Sequence, residues 1–351
     1  MTRSRRGEDT PTLRDPPDPA QQPTPPLSNR HDLPPAASRS SEHTRIRMLR
    51  SIFGDADPNV ELTLGDDCAI LRPTSERIVW SIDSAVEGMH FRRDIMTLED
   101  AGYRATMAAL SDLAAMGARP IGVVAGLVLP IDLNDDDFLA IARGQRDAAS
   151  IANTLIVGGN LSRGETLSIT TSVLGTVDRP VRRSGASPGD DVLLAGRLGL
   201  AAVGLRLAMT GRIEDADTRE ALVAFRRPHA RIEAGRSAMR AGATAMIDVS
   251  DGLAADAAHV ATESKVTIVL DQTQVLGATS ARLSALARRD PLDLALSGGE
   301  DYALLATAPR GSSIPGFTRI GTCEERSAHL VLIENRGARR PAPIAGFDHF
   351  T

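Results

Sequence analysis

The chain has 351 residues, with 45 acidic and 40 basic side chains, a formal net charge of −5 and 42% hydrophobic residues. This length predicts two domains with a sizeable core, while the acidic balance and 3% aromatic content exclude a basic, ring-stacking nucleic-acid surface. Two cysteines, Cys68 and Cys323, exclude a disulfide framework or Cys-rich zinc site and fit a reducing, cytoplasmic setting; no apolar run suits a membrane span or a secretory signal, and the single lysine, Lys265, is not in a P-loop.

Residues 1–41 hold nine of the 21 prolines and few apolar side chains, which predicts a disordered tail. Glu8, Asp9, Asp15 and Asp18 argue against a transit peptide there. From residue 42 the sequence turns globular. Short strands are expected at 60–64 and 68–71, then an apolar strand over 78–82 ending at Asp83. Helical spacing of Ala101, Ala105, Ala108, Leu113 and Met116 predicts a helix over 100–116, stopped by Gly117 with Pro120 beyond. A strand at 121–129, an acidic-capped helix at 135–151 and strands at 154–157 and 167–177 follow.

The Pro-, Gly- and charge-rich segment 179–190 divides the chain into 42–178 and 179–351. Beyond it, strands are expected at 192–195, 245–249, 266–270, 302–307, 318–321 and 330–333. Helices are expected near 198–210, 217–224, 229–240, 252–263 and 280–289. Both halves mix strands with helices, so the class is α/β with α+β.

The chemistry-bearing signal is a set of aspartates at the ends of these elements: Gly65-Asp66-Asp67, Asp83, Ser111-Asp112 and Asp248-x-x-Asp251. Magnesium takes carboxylate and water oxygens and is commonly shared with substrate phosphates. Asp248 and Asp251, three apart, can point at one ion. Each cluster alone also reads as a turn or a helix cap; the recurrence beside apolar strands and small-residue helices favours metal and phosphate binding. Gly158-Gly159-Asn160 and Gly298-Gly299-Glu300 would let backbone amides approach phosphate oxygens. Arg183, in a Ser/Gly/Pro loop, is placed to clamp a phosphate or to sit solvated. His90 follows the Asp83 strand and reads either as a substrate contact or as a structural histidine.

The ordered series Gly-Asp-Asp-Cys-Ala-Ile-Leu (65–71), Asp-Ser-Ala-Val-Glu-Gly-Met-His-Phe (83–91) and Leu-Ser-Asp-Leu-Ala-Ala-Met-Gly-Ala (110–118) resembles the thiamine-monophosphate kinase family. So do Val-Gly-Gly-Asn (157–160), Arg-Ser-Gly-Ala-Ser-Pro-Gly-Asp (183–190), Ile-Asp-Val-Ser-Asp-Gly-Leu (247–253), Leu-Ser-Gly-Gly-Glu-Asp-Tyr (296–302) and Gly-Phe-Asp-His-Phe (346–350). The resemblance implies the two-domain fold of the aminoimidazole ribonucleotide synthetase-like superfamily, with an N-terminal domain that binds ATP and magnesium and dimerises through its strands. It implies ATP-dependent phosphorylation of thiamine monophosphate to thiamine diphosphate, with several magnesium ions.

Carried over motif by motif, Asp67, Asp83, Asp112, Asp248 and Asp251 are the implied magnesium ligands, with Asn160 and Ser84 as further oxygen donors. Arg183, Ser250, Tyr103, Gly159 and Asn160 are the implied ATP contacts, and His90, Glu300 and Phe347 the implied contacts to thiamine monophosphate. Two departures stand out: Asn160 where the family usually has Asp, and Ile82-Asp83 where it commonly has Thr-Asp. The competing readings are another member of the superfamily and a catalytically impaired nucleotide-binding homologue, the second suggested by these departures. Neither a general base nor a nucleophile is expected, because a phosphate acceptor oxygen is already ionised near neutral pH.

Overall fold

The computed structural model describes residues 41–53, 58–63, 68–211 and 215–344. After helix α1 (Glu42–Phe53) and the small hairpin of β1 (Val60–Leu62) and β2 (Ile70–Leu71), the first half builds a four-stranded sheet. Its strands are β3 (Arg77–Val86), β4 (Arg119–Leu129), β5 (Ile156–Arg163) and β6 (Ser168–Val177), in the order β3-β6-β4-β5. Only β4 and β5 pair in parallel. Helices α2 (Leu98–Ala115) and α3 (Asp135–Ile151) belong to the same half.

α2 begins at Thr97, whose hydroxyl accepts from the Asp100 amide. α3 begins with a reciprocal capping box between Asn134 and Asp137. Small residues let the two helices touch backbone to backbone. A Cβ on Gly144 would stand 1.9 Å from the Glu99 carbonyl oxygen, and one on Gly102 would stand 2.2 Å from that of Ile141.

The second half forms a seven-stranded sheet in the order β13-β12-β9-β11-β7-β10-β8. These are β7 (Asp191–Ala195), β8 (Ala245–Val249), β9 (Val266–Asp271), β10 (Ala303–Ala308), β11 (Thr318–Glu325), β12 (Val331–Asn335) and β13 (Ala338–Pro341). Its helices are α4 (Leu200–Thr210), α5 (Ala216–Arg226), α6 (Ile232–Arg240), α7 (Leu253–Ser264), α8 (Gln272–Gly277), α9 (Ala281–Ala287) and α10 (Pro291–Ser297).

Alternation sends Leu193, Ala195, Met246, Leu304 and Ala306 into the same core as α2, while Val192, Leu194, Ile247, Val249 and Leu305 pack with α7. α2 therefore lies between the two sheets, against β3 and β6 on one side and β8 on the other. This explains its composition: 13 of its 18 residues are buried, and a helix enclosed on several sides needs small side chains.

Three expectations need correction. β3 does not stop at Asp83 but continues to Val86, because Asp83 through Val86 keep pairing with 168–171 of β6. Gly158, Gly159 and Asn160 lie inside β5 rather than in a turn after it; a Cβ on Gly159 would meet the Ala125 carbonyl oxygen at 2.1 Å, so glycine here permits close strand pairing. The charge-rich α1 and the short α8, α10 and β13 are additional to the expected elements. Among the described residues no helix is long and apolar enough to cross a membrane.

Candidate active site

A cleft of about 1030 Å³ opens where β3, α2 and β8 converge, and it is lined by Asp83, Asp112, Asp248, Ser250, Asp251 and Glu300 among others. Asp83 comes from edge strand β3, Asp112 from the buried helix α2 and Asp248 from the second sheet. Burial, followed by the charge of Asp112, pushes Asp83 up to about 6. Burial and Asp112 do the same to Asp248, with Ser111 and Arg183 pulling back. Burial raises Asp112 as well, opposed by the Ser81 hydroxyl, which donates to Oδ2 at 2.5 Å, and by Arg183. Asp112 thus repels both Asp83 and Asp248 in a partly desolvated wall.

Two further aspartates hold the turns that present this wall. Asp256, on α7, accepts from the amides of Ser250 and Asp251, both at 3.1 Å. Asp301 accepts from the amides of Gly199 at 2.6 Å and Ala201 at 3.1 Å, which caps α4. Burial drives both carboxyls up to about 7 against the lowering effect of those amides. The Glu300 amide donates to the Ser250 carbonyl at 2.6 Å and the Tyr302 amide to that of Val249 at 2.9 Å, so the two turns are stitched together. The stitching holds Glu300 and Tyr302 at φ of +57° and +47°, a region costly for side chains and common at functional sites.

The lining also includes His90 and Arg104, the latter on the same face of α2 as Asp112, with Phe91, Ile95, Leu205 and Phe225 as apolar lining. The Val86 amide donates to His90 Nδ1 at 3.0 Å, so the neutral ring carries its proton on Nε2. Arg104 is 5% exposed. It ion-pairs with Glu300, donates to the Phe225 carbonyl and lies over the Phe225 ring at 5.0 Å.

The cleft therefore gathers Asp83, His90, Asp112, Asp248, Ser250, Asp251 and Glu300. Ser84 borders it, but its hydroxyl is paired with that of Thr170 at 2.8 Å on the face of β3 opposite Asp83. Arg183 is not in the lining, but its charge acts on both Asp112 and Asp248, and its carbonyl is held by the Ser264 hydroxyl at 2.9 Å. Tyr103 is not brought to the cleft: it is buried beneath the Arg227 guanidinium at 5.1 Å, and Arg227 is itself paired with Glu99 and Asp100. Asn160 and Gly159 are not brought there either. Asn160 shares a row with Gly126, Thr170 and Ser84 across the sheet, on the face opposite Asp83, three strand spacings or about 14 Å from β3. Its amide donates to Ser162 Oγ at 2.9 Å. Asp67 and Phe347 lie outside the described residues, as does the tail 1–40.

Sequence reasoning missed Arg104, Asp256 and Asp301. Asp301 stood inside a quoted motif, where its neighbour Glu300 drew the attention. Asp256 is six residues from Ser250, beyond the usual capping distance, and Arg104 looked like one more arginine on a helix.

The described geometry is that of an AIR synthase related protein: residues 65–177 match the N-terminal domain of that family and residues 187–312 its C-terminal domain. Thiamine-monophosphate kinase of Escherichia coli K12 is 35% identical over 309 residues, covering 83% of this chain and 93% of that protein. The Mycobacterium tuberculosis H37Rv enzyme of the same name is 36% identical over 289 residues, covering 81% and 85%. A solved structure described as AaThiL complexed with AMPPCP and TMP superposes with a TM-score of 0.72 at 30% identity, covering 88% of this chain and 97% of that one. The chain belongs to the thiamine-monophosphate kinase family.

Proposed function

We propose that this protein transfers the γ-phosphoryl group of ATP to thiamine monophosphate, giving ADP and thiamine diphosphate. The observation that carries the reading is the convergence of Asp83, Asp112 and Asp248 from three elements on one cleft wall, where burial raises all three carboxyls. Crowded carboxylates with a single nearby arginine are the donor set a hard divalent cation relieves. Asp83, Asp112, Asp248 and Asp251 would hold magnesium; Ser84, whose hydroxyl is paired with that of Thr170 on the other face of the sheet, would not. Bound there, magnesium neutralises phosphate oxygens and so lets two polyanionic substrates meet.

The rest of the chemistry falls to positioning. Arg183 and Ser250 would hold the ATP phosphates, while His90 and Glu300 would hold thiamine monophosphate against the apolar wall. The acceptor oxygen is ionised already, so direct in-line transfer needs no general base and no phosphoenzyme.

We also propose limits of 42–178 and 179–351 for the two domains, a cytoplasmic location, and a homodimer formed through the first sheet. Ile78, Trp80 and Ile82 leave one face of β3 exposed, with Trp80 76% accessible; a bare apolar sheet face of this kind favours self-association. The functional test is ADP release with both substrates and magnesium. The reading requires release that depends on thiamine monophosphate, with thiamine diphosphate as product and no trapped phosphoprotein; ADP release indifferent to thiamine monophosphate would sink it.

A further inference from the structure

We propose that Arg104 is a positioning residue for the acceptor substrate: it holds Glu300 as a fixed anionic acceptor facing the ring end of thiamine monophosphate. The inference rests on the reading that Glu300 contacts that substrate.

Arg104 is a buried cation on α2, and a buried charge must be paired to be tolerated. Its partner is not buried with it. The Arg104 side chain is 6% exposed and that of Glu300 is 41% exposed, so the carboxylate is the open end of the pair and the guanidinium its buried end. Arg104 is fixed independently of Glu300. It stacks on Phe225 at 5.0 Å and donates to the Phe225 carbonyl, both on α5.

Glu300 is held from its own side as well, by its amide on the Ser250 carbonyl at 2.6 Å and by a backbone at φ +57°. Such a glutamate loses little entropy on meeting a ligand. Ion-paired through Oε1, it has Oε2 to offer to a donor in the cleft.

The chemistry of the ligand follows. Beside Arg104 the cleft lining is apolar, with Phe225 against it and Ala101, Ala105 and Ala108 on the same face of α2; Phe91, Ile95 and Leu205 also line the cleft. An apolar pocket with one fixed carboxylate suits a flat, cationic heterocycle that carries an amine donor. Thiamine monophosphate has these features at its ring end. ATP brings its charge to the carboxylate wall instead. Arg104, although in the cleft lining, has its guanidinium committed to Glu300 and Phe225, and so acts on acceptor binding through Glu300.

The test is steady-state kinetics on the full chain for Arg104→Met, Arg104→Lys, Glu300→Gln and the double variant Arg104→Met/Glu300→Gln, with thermal melting as a check on folding. Arg104→Met is expected to raise KM for thiamine monophosphate at least tenfold with KM for ATP within twofold. Arg104→Lys should recover part of the loss, because an ammonium keeps the ion pair. The double variant should be no worse than the worse single change, because both remove one arrangement.

A folded Arg104→Met or Arg104→Lys with wild-type KM for thiamine monophosphate would overturn the proposal, as would additive losses in the double variant or an equal rise in both KM values. If Arg104→Met does not fold, Arg104→Lys alone decides. Should Glu300→Gln leave KM for thiamine monophosphate unchanged, the contact assigned to Glu300 is wrong and the proposal falls with it. A wild-type chain without activity on thiamine monophosphate refutes the functional reading itself.

Discussion

The cleft wall and the layer behind it are both built from buried aspartates, yet they serve opposite ends. Asp83, Asp112 and Asp248 face the cleft, and no backbone amide from another residue donates to them among the described residues. Asp256 and Asp301 each accept from two such amides and hold turns. Burial raises the carboxyl pKa in both regions, so a raised pKa alone does not tell a ligand from a scaffold. The number of backbone donors does: a carboxylate supplied with amides has its charge spent on the fold, and one without them is left for a cation.

The largest expected effect lies at the wall. Asp83→Ala or Asp251→Ala should lower kcat by about a thousandfold, the upper range for losing a group that stabilises transition-state charge. Thermal melting should find these variants folded, because each removes repulsion rather than support. A variant that keeps full activity would remove its residue from the metal site.

The layer behind should respond the other way. Asp301→Ala removes a cap on α4 and leaves two amides unpaired, a loss of about 2 kcal/mol in stability. Chemical denaturation reads this directly, and an unchanged midpoint would erase the distinction between the two regions.

A smaller effect is the pH dependence of the metal-free protein. Asp83 and Asp248 titrate near 6 when folded, above the ordinary carboxyl value of 3.8. The folded state therefore binds more protons than the unfolded state between those values, and the contribution of these groups falls as pH rises from about 4 through 6. Asp83→Asn should flatten that slope relative to wild type, and magnesium should restore stability above pH 6. A slope identical in wild type and variant would contradict the assigned repulsion.

The smallest effect concerns Tyr103. Its hydroxyl has no place in the cleft, so Tyr103→Phe should leave kcat and both KM values within twofold. A larger change would return Tyr103 to the site.

Much of the fold was legible in the sequence because most elements carry their own periodicity. α3 spans Asp135–Ile151 as its acidic first turn and apolar spacing required. β8 spans Ala245–Val249 as its apolar run required. What failed was where strands end. The polar stretch Asp83–Ser84 looked like a terminus, yet register with β6 carries the strand past it; Gly158-Gly159 looked like a turn, yet close pairing with β4 makes it strand.

The cleft residues were legible as motifs, but their division of labour was not. Which of two adjacent acids, Glu300 or Asp301, faces the ligand depends on the amides of Gly199 and Ala201, a hundred positions away. Asn160 takes the place of an Asp in its motif, and the sheet carries it to the far face.

The central claim is that the carboxylate wall, and not the layer behind it, is built for a cation. Equilibrium binding of magnesium–ATP to wild type, Asp83→Asn, Asp248→Asn and Asp301→Asn tests it most directly. The predicted result is at least a tenfold loss of affinity in the two wall variants, with Asp301→Asn close to wild type. Wall variants that bind magnesium–ATP as wild type does would contradict it.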